Sequence, residues 1–283
     1  MYNLKRMAKK AKLPDPIVEA LAISAPPEKV WAALTSPRAL GDIVMGHVEM
    51  DPRPNKPFHW PWSVWAASAP VKGDPSWRGL VLDVVPGSAL VLSGEGTTLT
   101  ITVKGERGSA LVTLIQSSFP PGATREDFQY AWADFLFKLK TLLEHAPVED
   151  AIYIRTLVRG KPGDIVKAWL SPAAMSKILP GKVKLEAKSG GGYAWQRKEG
   201  AITGKFLEIA KDHSVSFTWQ GEGLARPGEV RLSAMPTPYG SMVALELRAA
   251  DTIRHLEHHR RFWAHLLERL RVYFYYGKKI RTS

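Results

Sequence analysis

The stretch TIRHLEHHRRFWAHLLERLRVYFYY, Thr252 to Tyr276, decides the fold. Leu256, His259, Trp263, Leu267, Leu270 and Phe274 recur at steps of three and four, so a helix gathers them on one face. A stripe of that width needs an apolar surface to lie on. Gly277 marks the end of the helix. Phe128, Trp132, Phe135, Leu139 and Leu143 repeat the pattern earlier, in a helix predicted over Thr124–His145 with Thr124 as its N-cap and Asp127 as a capping-box partner.

Working outward, each long helix closes a run of strand-like segments. Before the last one, strands are predicted at Ala151–Val158, Lys182–Ala187, Tyr193–Arg197, Ala201–Ile209, Ser214–Trp219, Gly228–Ala234 and Ser241–Arg248. Before the first, they fall at Ile17–Ser24, Gly46–Met50, Phe58–Ala67, Trp77–Val85, Ala89–Leu92, Thr98–Lys104 and Ser109–Ser117. Turn residues separate them, as at Pro86-Gly87-Ser88, which points to consecutive antiparallel hairpins. A short helix follows each opening strand: Glu28–Leu34, stopped by Ser36-Pro37, and Asp164–Leu170, stopped by Ser171-Pro172. Arg38–Ile43 reads as a further helical turn.

The halves superpose as sequence. WAALTSP (Trp31–Pro37) matches KAWLSP (Lys167–Pro172), and Arg78–Leu92 matches Thr203–Phe217. GSALVTLI (Gly108–Ile115) matches GSMVALEL (Gly240–Leu247), and Trp132 falls on Trp263. A period of about 130 residues is a duplicated domain, longer than the solenoid repeats of about 20–50. The reading is α+β: a basic tail over residues 1–13, a domain over 14–147, a linker at Pro147-Val148-Glu149, and a second domain over 148–283.

Composition bounds the function. The 283 residues are 45% hydrophobic and 23% charged, as in a globular protein. No apolar run approaches the roughly 20 residues that span a bilayer. The basic start lacks the apolar core of a secretory signal. Cysteine is absent, which excludes disulfides, thiolate catalysis and cysteine-ligated zinc and fits a cytoplasmic protein. The net charge of +12 is uneven: residues 1–149 hold 16 Lys and Arg against 15 Asp and Glu, and the rest hold 23 against 12. The basic half is either a solvated surface or a face for an anionic partner, nucleic acid or an acidic surface. Lys182, Lys184, Lys188, Arg197, Lys198, Arg260, Arg261, Lys278, Lys279 and Arg281 are its candidates.

The order of elements, twice over, resembles the SRPBCC superfamily, whose START-like helix-grip fold wraps a bent antiparallel sheet around a long C-terminal helix. Within it the chain is similar to heat-shock ATPase activator (Aha-type) C-terminal-like domains. VWAALTSPRAL and VKAWLSPAAMSKIL carry this likeness, with the strand pair GKFLEIAKDHSVSFTW (Gly204–Trp219) and the closing HHRRFWAHLLERL. The segment Pro52–Trp65 departs from the pattern in its Pro and Trp content. The consecutive Asn and Trp-His-Trp core of the eukaryotic activator's N-terminal domain is missing; His59-Trp60 is all that stands near it.

The resemblance implies an apolar cavity between helix and sheet, suited to a lipid, polyketide or aromatic metabolite, with no cofactor. Strand alternation turns Val215, Phe217 and Trp219 inward, with Val230, Leu232, Ala234 and Val243, Leu245, Leu247. The cavity candidates are Trp60, Trp62, Phe128, Trp132, Phe217, Trp219, Leu232, Leu245, His259 and Trp263. Trp60 and Trp62 share a side of their strand, either as core or as a rim or lid. His255 and His259 have the i, i+4 spacing of two metal ligands, but a third is missing, and no metal site is assigned. GxSxG, the P-loop, GxGxxG and HExxH are absent, and Gly190-Gly191-Gly192 reads as a hairpin turn. Three functions stay open: a non-enzymatic binder of a hydrophobic molecule or accessory protein, a cyclase- or hydrolase-type enzyme using a group such as His259, and an anion or nucleic-acid binder.

Overall fold

The computed structural model describes residues 15–44, 46–61, 76–106, 108–118, 125–145, 151–198, 200–220, 224, 226–249 and 256–275. The tail over 1–13, the linker at 147–149, Thr124, Trp62, Trp65 and His255 lie outside them.

Two seven-stranded antiparallel sheets account for the strands. In the first, β1 (Ile17–Ile23) is followed by β2 (Glu49–Met50), β3 (Pro57–Pro61), β4 (Ser76–Val85), β5 (Ala89–Gly94), β6 (Thr97–Glu106) and β7 (Ser109–Ser117), in spatial order β1-β7-β6-β5-β4-β3-β2. The second repeats that order as β8-β14-β13-β12-β11-β10-β9. Its strands are β8 (Ala151–Val158), β9 (Lys182–Leu185), β10 (Gly192–Arg197), β11 (Gly200–Ala210), β12 (Ser214–Trp219), β13 (Gly228–Thr237) and β14 (Gly240–Arg248). Long helices α3 (Arg125–Glu144) and α6 (Leu256–Tyr275) close the two units. The stripe on α6 does what its spacing requires: His259, Trp263, Leu267 and Leu270 are buried. Trp132, Phe135 and Leu139 are buried on α3. The predicted architecture, two tandem helix-grip units of α+β class, is the architecture observed.

The Ser-Pro pairs act differently from the expectation. Helices α1 (Pro27–Thr35), α2 (Pro37–Val44), α4 (Pro162–Trp169) and α5 (Pro172–Ile178) each begin at a proline. A proline in the first turn forfeits no helical hydrogen bond and arrives with φ already helical. Ser36 and Ser171 accept from the amides of Ala39 and Ala174, both at 3.3 Å, so each serine caps the helix that follows. Ser-Pro therefore restarts the chain as a second helix as much as it stops the first.

Strand register also corrects the repeat alignment. In the hairpin β6–β7, Glu106 faces Ser109; in β13–β14, Thr237 faces Gly240. The units thus differ by 131 residues here, the same offset as Trp132 and Trp263. Matching Gly108 to Gly240 slips the strands by one residue, which swaps the inward and outward faces. In register, Gln116 corresponds to Leu247, and both point inward and are buried. The pair β4–β5 aligns as the sequence suggested. A β-bulge lies between Val81 and Asp83 in one unit and between Phe206 and Glu208 in the other.

The units meet through α3, which lies against its own β1 and also against β8 of the second unit. Tyr130, Ala133 and Leu157 form a separate buried cluster there. This explains why β8 departs from simple alternation: Thr156, Leu157 and Val158 are all buried, because both of its faces are covered.

Candidate ligand-binding cavity

The second unit encloses a cavity between α6, the sheet and the α4–α5 corner. Among the described residues, eight aromatic rings line it, with Met175, Leu179, Val183, Leu185 and Leu266, and none of these is charged. The strands set the wall by alternation: Tyr193 and Trp195 from β10, Phe206 from β11, Phe217 and Trp219 from β12. Helix α6 adds Phe262 and Trp263, and Trp169 comes from the end of α4. Trp219 and Trp263 meet edge to face at 4.7 Å, and Trp219 stacks on Phe262 at 5.4 Å. The free volume is about 40 Å³, room for a few waters, so a larger guest enters only as the lining moves. Half-buried Leu185, Tyr193 and Phe262 are the lining residues that reach solvent.

The polar atoms of this wall divide into two sets. Tyr193 donates to the carbonyl of Thr218 at 2.6 Å, and Trp195 donates to that of Pro180 at 2.9 Å. Burial pushes the Tyr193 hydroxyl well above the ordinary tyrosine range, so it stays protonated. Trp219 and Trp263 are different: their indole nitrogens are buried and meet no acceptor among the described residues. Each such donor carries a desolvation cost of about 1–3 kcal/mol.

In the first unit aromatic rings pack together in the corresponding region. Through the shared bulge and strand pairing, Trp60 corresponds to Trp195, Trp77 to Ile202, and Gly94 to Trp219. Gly94 makes room for Trp77: a Cβ at Gly94 would stand 2.7 Å from the Trp77 indole nitrogen. Trp60 then stacks on Phe135 at 6.0 Å, and Trp77 meets Trp132 at 6.3 Å. Trp132 donates to Gln116 Oε1 at 2.6 Å. In the second unit Leu247 holds the register position of Gln116, and a leucine offers no acceptor.

Of the sequence candidates, Phe217, Trp219 and Trp263 come together in the cavity wall. Leu232 and Leu245 are fully buried in the core of the same unit, away from the lining. His259 is buried one turn before Trp263 and is not among the lining residues. Trp60 and Trp132 are fully buried in the first unit, with half-buried Phe128 packed against that core, and Trp60 is core rather than rim. Sequence reasoning missed Trp169, Met175, Leu179, Tyr193 and Trp195. The alternation of Tyr193 and Trp195 signalled two of them, and the others follow once Ser171 is read as a cap. Among the described residues no three His, Asp or Glu side chains gather as a metal site, and no helix is long and apolar enough to cross a membrane.

Fold and cavity define a tandem helix-grip protein whose second unit carries a small aromatic-lined cavity. The chain belongs to the family described as Activator of Hsp90 ATPase homolog 1-like protein, whose model matches residues 24–144 and 161–275. Among solved structures it is similar to DynU16, from the dynemicin biosynthetic locus, at 16% identity and a TM-score of 0.37, over 93% of this chain and 98% of that one. It is similar to StfQ, the di-domain ARO/CYC of the steffimycin biosynthetic pathway, at 11% identity and a TM-score of 0.40, over 93% and 98%. The Aha1 dimer of Colwellia psychrerythraea matches at 18% identity and a TM-score of 0.39, over 46% of this chain and 96% of that one. No curated protein matches.

Proposed function

We propose that the second unit binds a hydrophobic small molecule, aromatic in part and carrying at least one oxygen acceptor, and that the first unit is a scaffold. One observation carries this: among the described residues, Trp219 and Trp263 hold two buried indole donors without acceptors, in the wall of a cavity lined by aromatic and aliphatic side chains. A ketone or phenol oxygen would accept from them, and its rings would pack on Phe217 and Phe262. Among the described lining residues the one hydroxyl, on Tyr193, is already committed to Thr218 and held protonated, which favours binding over acid–base catalysis. The absence of cysteine is compatible with a reducing compartment such as the cytoplasm for this activity.

The test is intrinsic tryptophan fluorescence and native mass spectrometry of the full chain with anthraquinone, a long-chain fatty acid and a sterol. Saturable 1:1 uptake is expected for the quinone. Trp263→Phe, which keeps the ring and deletes the donor, is expected to weaken it about tenfold, equivalent to about 1.4 kcal/mol. Uptake of none of the three, or quinone uptake indifferent to both Trp263→Phe and the cavity-filling Leu266→Trp, would sink the reading.

A further inference from the structure

We propose that a second site, for a small phosphate-bearing anion, lies in the cleft between the two units. Helix α2 of the first unit and α6 of the second face each other across a concavity of about 730 Å³. That size suits a metabolite, since small-molecule sites commonly run from about 300 to 1,000 Å³. The spacing on each helix explains the wall. Arg38 and Asp42 are i, i+4 on α2, and Arg261 and His265 are i, i+4 on α6, with Arg260 beside them. His47 comes from the segment after α2. Gly41 lets the segment after α2 fold back closely: a Cβ there would stand 2.7 Å from the carbonyl oxygen of Gly46, whose amide donates to the Gly41 carbonyl at 3.0 Å.

The charge of the wall identifies the guest. Among the described residues, three arginines and two histidines line the cleft against one lining carboxylate, Asp42, and His47 also lies 3.7 Å from Glu49. A smaller recess continues it, sharing Asp42 and Arg260 and adding Arg155. Like charges converging from two packed units raise the local potential and repel one another, and an anion relieves both effects. Guanidinium groups present paired N–H donors that match phosphate oxygens, so phosphate is the chemistry this wall fits best. Convergence into a cleft also favours a compact guest over nucleic acid. An extended polyanion would engage the exposed lysines of β9 and the β9–β10 turn instead, Lys182, Lys184 and Lys188.

The experiment is calorimetric titration of the full chain with sodium pyrophosphate at 0.15 M NaCl. One saturable site is expected. Arg38→Glu and Arg261→Glu change exposed side chains on different units, and each is expected to weaken binding at least tenfold. Lys184→Glu, an equal change of net charge on β9, is expected to alter it less than twofold. Circular dichroism confirms that each variant is folded, and Arg38→Ala and Arg261→Ala replace any that is not. Absence of a saturable site overturns the proposal, as does equal loss with Lys184→Glu. Tighter binding of a DNA duplex that is abolished by Lys184→Glu also overturns it, assigning the charge to an open surface.

Discussion

At the scale of single residues, one acceptor separates the two units. Trp132 and Trp263 fill the same place, and the residue across from each decides whether its N–H is bonded. Gln116 accepts from Trp132 at 2.6 Å while itself almost fully buried. Gln116→Leu makes the first unit imitate the second: the indole is orphaned and the leucine gains no new partner. We expect a loss of about 1–3 kcal/mol, read as a lower urea midpoint at unchanged slope. Conversely, Leu247→Gln places an acceptor beside Trp263, and quinone affinity in the second unit is expected to fall because the guest loses its donor. The shared tryptophan was legible in the sequence because it repeats at one offset. The acceptor was not: a match of eight residues by likeness slipped by one, and a single slip reverses every inward and outward assignment on a strand. His259 is the one ionisable residue of the stripe, but the face of a helix says nothing about which part of that face borders empty space.

At the scale of elements, the α4–α5 corner controls the cavity. Met175 and Leu179, on and just beyond α5, cover it, and the helix is only seven residues long. So short a helix depends on its ends. Ser171 supplies one, accepting from the Ala174 amide. Arg269 on α6 supplies the other, donating to the carbonyl of Ile178. Ser171→Ala is expected to cost about 1 kcal/mol and to speed hydrogen exchange at Ala174 and Met175 more than in the sheet. If exchange rises equally everywhere, the cap serves global stability and the corner is not a separate gate. Most strands and both long helices were legible, since periods of 2 and 3.6 are local signals, but the strand expected over Gly46–Met50 is only Glu49–Met50, and the one expected over Phe58–Ala67 is described only to Pro61. The second short helix was read in the first unit, at Arg38–Ile43, but missed in the second, at Pro172–Ile178, because a proline reads as a break from the upstream side and as a start from the downstream side.

At the scale of the molecule, a buried ionic network joins the units. Asp134 on α3 of the first unit accepts from Thr156 Oγ1 at 3.0 Å and from the Leu157 amide at 2.8 Å, both on β8 of the second. It pairs with Lys138 at 2.8 Å and lies 3.8 Å from Arg271 on α6. Tyr130 donates to the Leu157 carbonyl beside it. Two carboxylates in this network shift in opposite directions. Burial raises both, but around Asp134 two cations and two hydrogen-bond donors outweigh it, and the carboxyl is held below its ordinary value. Glu268 is held by Arg271 at 2.8 Å, yet its second oxygen is buried without a partner, so burial wins and its pKa rises. These side chains are scattered over 138 residues of sequence, so no local pattern announced them. The sign for Asp134 follows. Its folded carboxyl binds a proton less readily than the unfolded one, so its contribution is present above the unfolded value of about 3.9 and is lost as pH falls below it. Asp134→Asn keeps the shape and one acceptor but leaves Lys138 and Arg271 short of a counter-charge, at a cost of about 3 kcal/mol at neutral pH. Urea denaturation at pH 7 should show that full gap between parent and variant, and the gap should close as pH drops below about 4. A gap that stays constant down to pH 3 would mean that shape, not charge, holds the units in register.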